Sequence, residues 1–223
     1  MKPVVKNGEF CIPLYHGTSS LFIDSIQALG LGAVNPIEKE DSVGFITRLL
    51  KIADMALGSD EEWKASRFAV EWIVEQRSSR DGLNLQHGDT YLTPSRGSAV
   101  GYALTNRFGS ELITQAFRVY RLVADRRPEA LFDGQLQEHP LLSLFSCAPQ
   151  PVLVTAQRVP VVAVASEGGG PAQPSIERLQ EMWTSIEMGA VINVNFRLLT
   201  PLPPGSFSAE FLNPDEEHNP YAW

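Results

Sequence analysis

The residue types with the most chemical potential fall in two short segments of this sequence. Residues 15–19 read Tyr-His-Gly-Thr-Ser, and further along the chain Tyr91 and Tyr102 stand eleven positions apart. In the first segment a histidine precedes a glycine, at which other groups can approach the backbone closely. An imidazole, an uncovered peptide group and two aromatic rings could together hold a flat ring that bears an amide, such as nicotinamide.

Such a site would suit the cleavage of NAD⁺ between the ribose C1′ and nicotinamide. The transition state resembles an oxocarbenium ion, which a protein stabilises by binding the carboxamide, holding the ribose and placing a carboxylate nearby. Gly17 could bind the carboxamide, and His16 could bind a ribose hydroxyl. Each residue also has an ordinary structural interpretation, since tyrosines are often half-buried and Gly17-Thr18 could form a plain turn.

The hydrophobic pattern predicts the elements that must position these residues. Strands are expected at residues 10–15, 89–93, 112–123, 152–156, 159–165 and 190–199, and helices at residues 21–29, 42–57, 60–76, 98–105 and 175–186. Strands lie towards both ends, helices cluster between the first two strands, and strand and helix do not alternate regularly. This order predicts an α+β domain with a mixed or antiparallel sheet. We expect one domain over residues 1–223, with a helical insertion at about residues 40–82.

Two of these elements have well-defined faces. For the helix at residues 60–76, helical spacing predicts a buried stripe of Ala65, Phe68, Ala69, Trp72 and Ile73. For the last strand, strict alternation predicts that the inward residues are Ile192, Val194, Phe196 and Leu198. The outward residues would then be Asn193, Asn195 and Arg197.

The composition argues against several classes of protein. The net charge is −8 and 43% of the residues are hydrophobic, which indicates a folded domain and not a protein that mainly coats nucleic acid. A local basic cluster remains possible at Arg118, Arg121, Arg126 and Arg127. The two cysteines and four histidines are too scattered for a zinc site, so we expect no metal. P-loop, GxGxxG, GxSxG and HExxH motifs are absent from the sequence.

The sequence carries no targeting signal that we can identify. Its first nine residues lack an apolar signal-peptide core. No stretch approaches the roughly 20 apolar residues that span a bilayer. We therefore expect a cytoplasmic protein that has no membrane partner.

The order of the motifs resembles the ADP-ribosyltransferase superfamily, in particular the branch with a His-Tyr-Glu triad that includes the poly(ADP-ribose) polymerases and diphtheria toxin. In that branch a strand ends in His-Gly-Ser/Thr, and a later strand carries a Tyr-Phe/Leu-Ala/Thr motif. A second tyrosine follows, after a small Ser-Ala pair. This chain matches with residues 14–18 (Leu-Tyr-His-Gly-Thr), 90–93 (Thr-Tyr-Leu-Thr) and 98–103 (Ser-Ala-Val-Gly-Tyr-Ala). The resemblance extends over about residues 10–123.

The resemblance implies a split mixed or antiparallel β-sheet and NAD⁺ as the co-substrate. The residues it implies for NAD⁺ binding are His16, Gly17, Thr18, Tyr91, Ser98 and Tyr102. His16 would bind the ribose, Gly17 would pair with the carboxamide, and the two tyrosines would flank the nicotinamide. The implied activity is that of a bacterial or phage mono-ADP-ribosyltransferase toxin. Its partners would be a macromolecular acceptor, either protein or single-stranded RNA or DNA, and an antitoxin protein.

The third member of the triad, a glutamate in the family, falls on Gln150 in this chain. In the family this residue opens a strand and precedes runs such as Val-Leu-Val and Val-Pro, which here are residues 152–154 and 159–160. Gln150 could be natural in an enzyme that transfers a single ADP-ribose, or it could be an engineered change from glutamate. Alternatively, the acid lies elsewhere, and the candidates are Glu187, Glu167 and Glu111. The preceding segment, residues 133–149, corresponds to the acceptor-contacting loop of relatives.

Two other functions fit part of the sequence. An RNA 2′-phosphotransferase shares the fold and the Tyr-His-Gly-Thr opening, but it uses a histidine in place of the Tyr91 motif, together with extra arginines. The second alternative function is that of a catalytically impaired NAD⁺-binding module, since Gln150 supplies no negative charge. Release of nicotinamide without a phosphorylated RNA would exclude the phosphotransferase. A protein that neither binds NAD⁺ in calorimetry nor hydrolyses it, even after Gln150→Glu, would leave the enzyme interpretation without support.

Overall fold

A computed structural model gives the fold of the chain and describes residues 3–75, 88–132, 134–187 and 194–214. The strands are β1 (Val5–Lys6), β2 (Glu9–Phe10), β3 (Leu14–Ser19), β4 (Tyr91–Leu92), β5 (Pro151–Ala156), β6 (Val164–Ser166), β7 (Phe196–Leu198) and β8 (Phe207–Phe211). The helices are α1 (Ser20–Leu29), α2 (Pro36–Lys39), α3 (Ser42–Leu57), α4 (Glu61–Val74), α5 (Arg96–Thr105), α6 (Glu111–Arg126), α7 (Gly134–Gln137), α8 (Leu141–Phe145) and α9 (Gln173–Glu187).

The strands form antiparallel sheets, and the fold is of the α+β class, as the sequence predicts. One three-stranded sheet has the order β3-β5-β8, and another has the order β4-β7-β6. Strands β1 and β2 form a separate two-stranded sheet. Among the described residues, β3 meets β4 at one bridge, between Tyr15 and Thr93, so the two larger sheets touch at this point.

The chain divides into two compact units. The first unit consists of Met1–Val34, Asp89–Gly109 and Pro149–Trp223, and it contains every strand named above. The second consists of Asn35–Gly88 and Ser110–Ala148, and its named elements are all helical. The insertion expected at about residues 40–82 therefore supplies one part of the second unit, and a later segment supplies the other. Residues 76–82 of that expectation lie outside the described residues.

The core of the first unit draws side chains from α1, α9 and both three-stranded sheets. Leu92 of β4 and Phe196 of β7 are completely buried in it. Helix α1 begins where the Ser19 hydroxyl accepts a hydrogen bond from the backbone N–H of Leu21, and it ends at Gly30 in a positive-φ conformation. This core is what holds β3 and β4 in place.

Several predicted elements are confirmed. Helices α1, α3, α5 and α9 and strand β5 lie where the hydrophobic pattern places them. In β7, alternate residues are buried, and Asn195 and Arg197 on the other face are partly exposed, as predicted. Residues 190–193 of the predicted strand lie outside the described residues. The strand predicted at residues 10–15 is shifted to β3, and that predicted at residues 159–165 is reduced to β6 after a 3₁₀ turn.

The strand predicted at residues 112–123 is wrong, because this segment forms α6. Its buried residues recur at helical spacing and are Leu112, Ile113, Thr114, Ala116, Val119 and Val123. Many of them are β-branched, a type enriched in strands, and this local preference concealed the helical period. Tertiary packing of one helical face outweighed that preference.

The stripe predicted for α4 is largely on the wrong face. The buried residues are Trp63, Val70 and Ile73, whereas Phe68 is 57% exposed. Arg67, on the buried side, forms an ion pair with Asp54 at 2.8 Å, and the Trp63 indole donates to the same carboxylate at 3.1 Å. The predicted stripe omitted Trp63 and Val70, which share the buried face with Ile73 at helical spacing.

Candidate active site

Strands β3 and β4 are joined by two backbone hydrogen bonds between Tyr15 and Thr93. The N–H of Tyr15 donates to the carbonyl of Thr93 at 2.7 Å, and the reciprocal bond is 2.9 Å. Backbone groups of alternate residues in a strand face the same side. The N–H and C=O of Gly17 are therefore directed towards β4, beyond the point where the ladder between the two strands has ended.

The imidazole of His16 lies at this junction. Its Nδ1 is 2.9 Å from the backbone carbonyl of Tyr91. A carbonyl can only accept, so Nδ1 carries the hydrogen and, in the neutral ring, Nε2 keeps its lone pair. Burial lowers the pKa of His16, and the bond to Tyr91 opposes this only in part. Near neutral pH the ring is therefore uncharged, and its Nε2 could accept a hydrogen bond from a hydroxyl.

Gly17 allows a helix to pass very close to β3. A Cβ atom at this position would collide with the carbonyl oxygen of Ala99 and lie 2.9 Å from the backbone nitrogen of Ala103, both in α5. No side chain fits in that space. Gly17 is buried within a strand, so the turn considered for Gly17-Thr18 does not form. Thr18 is also buried in β3, with 2% of its surface exposed.

Helix α5 brings Ser98 and Tyr102 to the same region. These residues are one helical turn apart, and each directly precedes one of the alanines whose backbone contacts Gly17. The ring of Tyr102 is 40% exposed. The Ser98 hydroxyl donates to the side chain of Ser95, the N-cap of α5, at 2.9 Å. Five of the predicted site residues thus come from three adjoining elements. His16 and Gly17 belong to β3, Tyr91 belongs to β4, and Ser98 and Tyr102 belong to α5.

Gln150 is not brought to this group. It directly precedes β5, its side chain is exposed, and its backbone pairs with Ser20, through bonds of 3.0 Å and 2.8 Å. The residue opposite His16 in β5 is Val154, four positions further along. At the usual rise per residue this is about 13 Å along the strand.

The three alternative acids lie in different places. Glu111 belongs to the second unit, and the side chain of Glu187 lies outside the described part of the structure. Glu167 follows β6 in the first unit, and its Oε2 accepts a hydrogen bond from Asn195 at 3.1 Å. Glu167 thus adjoins the sheet that contains Tyr91.

Sequence reasoning missed two residues of this sheet as site candidates, Asn195 and Arg197. Arg197 lies opposite Tyr91 and pairs with Asp89 at 3.2 Å. The Nε of Arg197 is buried and, among the described residues, has no hydrogen-bond partner. Buried donors are rarely left in this state, so the face has polar capacity that the protein does not use. The alternation of β7 was the signal, since it places both polar residues on one face.

The proposed basic cluster is partly neutralised. Arg121 pairs with Asp125, and Arg126 lies 3.6 Å from both Asp60 and Glu62. These pairs weaken the argument for a nucleic-acid surface on α6.

The segment at residues 133–149, expected as an acceptor loop, contains α7 and α8, and residue 133 lies outside the described residues. Its His139 has a packing role, since the ring lies 4.8 Å from that of Phe45.

Comparisons with protein-family models, curated proteins and solved structures find no match for this chain. Within the described ranges, no group of three or more His, Cys, Asp or Glu side chains is placed to hold a metal ion. No helix in the part of the chain that the structure describes is long and apolar enough to cross a membrane.

Proposed function

We propose that this protein is an NAD⁺-dependent mono-ADP-ribosyltransferase that transfers ADP-ribose to a macromolecular acceptor and releases nicotinamide. The observation that carries the proposal is the 2.9 Å contact between His16 Nδ1 and the Tyr91 carbonyl. This contact fixes a neutral imidazole beside Gly17, where the β3–β4 ladder has ended. Two of the residues implied by the family resemblance, His16 and Tyr91, are thereby neighbours in space, although they are 75 positions apart in sequence.

The nicotinamide would bind at the edge of β3. Its carboxamide has a carbonyl acceptor and an N–H donor, which match the N–H and C=O of Gly17. Tyr91 and the partly exposed Tyr102 supply aromatic faces for the cationic ring. The ribose would then lie near His16, where the Nε2 lone pair accepts a hydroxyl hydrogen.

Transfer breaks the bond between ribose C1′ and the nicotinamide nitrogen. The bonding electron pair leaves with nicotinamide, which becomes neutral, and positive charge moves onto C1′ and the ring oxygen of the ribose. An acceptor hydroxyl or amine then bonds to C1′ and gives up its proton. The protein contributes by fixing nicotinamide and ribose while a carboxylate stabilises the charge that develops.

The test is incubation of the purified protein with NAD⁺ labelled on the adenylate, in the presence of a cell lysate. We expect nicotinamide release and a labelled polymer, which nuclease or protease treatment then assigns to nucleic acid or protein. The control is Gln173→Ala, a change on the surface of α9 that should leave the labelling intact. A wild-type protein that neither binds NAD⁺ nor releases nicotinamide contradicts the proposal. A labelled small molecule, ADP-ribose carrying a phosphate from added 2′-phosphorylated RNA, with no labelled polymer, would favour the phosphotransferase instead.

A further inference from the structure

The sheet β4-β7-β6 has two chemically different faces. Leu92 and Phe196 lie on one face and are completely buried. Tyr91 and Arg197 are paired in register on the opposite face, and both are partly exposed. Because side chains alternate along a strand, Asn195 lies on the same face as Arg197. A polar surface thus surrounds Tyr91 within one sheet.

Asn195 is close to the proposed NAD⁺ site. Extending the register of β4 and β7 by one residue places it opposite Thr93, the residue that bonds to Tyr15 of β3. The Thr93 hydroxyl donates to the carbonyl of Val194, which supports this register. Diagonal neighbours in an antiparallel pair are about 7–8 Å apart, and this is the relation of Asn195 to Tyr91.

Glu167 directly follows β6, which pairs with β7 on the side away from β4. Extending the β6–β7 register by one residue places it opposite Asn195. The 3.1 Å bond from Asn195 Nδ2 to Glu167 Oε2 holds the carboxylate against the polar face. The glutamate is partly buried, so its position is restricted by the protein as well as by the amide.

Within the described residues, Glu167 forms no ion pair at 4 Å or less. Its partner is a neutral amide, whereas the nearby Asp89 is paired with the guanidinium of Arg197 at 3.2 Å. A carboxylate bonded to an amide keeps its full negative charge, while one in an ion pair is largely compensated. Glu167 is thus the better placed of the two to interact with a developing cation.

From these contacts we infer that Glu167 supplies the carboxylate of the active site and that Asn195 is its positioning residue. The inference rests on the proposed function and names the acid that Gln150 does not provide. As the C1′–nitrogen bond breaks, the carboxylate stabilises the oxocarbenium charge at C1′. When the acceptor hydroxyl bonds to C1′, its proton passes to the carboxylate and from there to solvent.

The direct test is Glu167→Gln, which retains the size of the side chain and an oxygen that can accept from Asn195. We expect the kcat of nicotinamide release to fall about 10²-fold or more, because the charge is lost where the transition state needs it. Affinity for NAD⁺, measured by calorimetry, should fall much less. The matched control is Glu177→Gln, since Glu177 also accepts a hydrogen bond from a neutral amide, that of Gln173 at 2.9 Å. Its kcat should remain at the wild-type value.

Asn195→Asp tests the positioning role. This isosteric change places two carboxylates side by side, and their repulsion should move the acidic limb of the kcat–pH profile to higher pH. The other charged groups on this face, Arg197 and Asp89, are the same in both proteins. A variant with reduced kcat and an unshifted profile would show that Asn195 has only a structural role.

The outcomes separate the inference from the proposed function. Wild-type release of nicotinamide with equal kcat in Glu167→Gln overturns the inference and leaves the function standing. Increased kcat in Gln150→Glu would also overturn it, because the acid would then belong at the start of β5. A wild-type protein that binds NAD⁺ and releases no nicotinamide overturns both.

Discussion

Strand β3 has two edges that the protein uses differently. On the side of β5, all six residues of Leu14–Ser19 are in register with Pro151–Ala156. On the side of β4, pairing among the described residues is confined to Tyr15 and Thr93. The first edge uses its backbone groups for structure, and the second leaves those of Gly17 beyond the end of a ladder.

This difference shows at which edge a ligand can form hydrogen bonds with the backbone of β3. A continuous ladder satisfies its own donors and acceptors and offers little to a small molecule. At the second edge, the Tyr91 carbonyl accepts a hydrogen bond from the imidazole of His16 instead of from a strand. A side chain that can take part in catalysis is thus fixed where the ladder ends.

Gly17→Ala should have the largest effect. The new methyl group would collide with the backbone of α5, at Ala99 and Ala103, which cannot move as a side chain could. We expect unfolding free energy to fall by about 3 kcal/mol or more, measured by chemical denaturation, and NAD⁺ binding to be lost. The control is Gly101→Ala in the same helix, where a Cβ meets nothing within 4 Å. It should stabilise the protein by about 0.5–1 kcal/mol, and equal effects of the two changes would contradict the packing described.

Two substitutions of His16 test the roles of its two ring nitrogens separately. Asn in His16→Asn can still donate to the Tyr91 carbonyl through its amide, but it lacks a group at the position of Nε2. The fold should persist while kcat for nicotinamide release falls about 10²-fold. His16→Gln keeps a group near Nε2 and loses the donor to Tyr91, so it should lower stability more. Full turnover in His16→Asn would show that the outer nitrogen has no role.

The Tyr102 ring should affect affinity more than turnover. Removing it in Tyr102→Ala eliminates a stacking contact worth about 0.5–1.5 kcal/mol, which is roughly a two- to tenfold rise in the Kd of NAD⁺. Tyr102→Phe preserves the ring and should bind NAD⁺ as the wild type does. Calorimetry measures the Kd of NAD⁺ for both variants. Equal Kd values for Tyr102→Ala and Tyr102→Phe would show that the Tyr102 ring does not contact NAD⁺.

The smallest effect should be a pH dependence of stability. The pKa of His16 is lowered by burial, so below pH 6.5 the unfolded chain binds a proton that the folded protein does not. This contribution to stability is fully present above pH 6.5 and is lost as pH falls towards the lowered pKa. His139, whose pKa burial also lowers, acts in the same direction. The wild type should therefore lose more stability on acidification than His16→Asn, and identical pH profiles would contradict a buried neutral His16.

Much of the fold followed from local pattern. Strand β5 and helices α1, α3, α5 and α9 have hydrophobic periods that agree with the burial of their residues. The segment of α6 did not, because β-branched residues such as Ile113 and Val119 carry a strand preference that tertiary packing overrides. The stripe predicted for α4 was wrong because it left out Trp63 and Val70, which are buried on the same face as Ile73.

The site was predictable where short motifs define it and not where contacts join distant segments. His16, Gly17 and Tyr91 stand in motifs that can be read directly. The contact of Asn195 with Glu167 joins residues 28 positions apart, and it depends on the order in which β6, β7 and β4 are paired. Gln150 was chosen because it opens a strand, but sequence alone does not show which edge of the sheet that strand occupies.

The central claim is that the peptide group of Gly17 receives the nicotinamide, and its amide resonance tests this directly. Labelling with ¹³C-carbonyl histidine and ¹⁵N-glycine selects glycines that follow histidine, which in this sequence are Gly17 and Gly88. His87→Ala identifies the Gly88 signal by removing it. On titration with NAD⁺, the Gly17 resonance should shift saturably while that of Gly88 stays in place. A Gly17 resonance that does not move at saturating NAD⁺ would contradict the account.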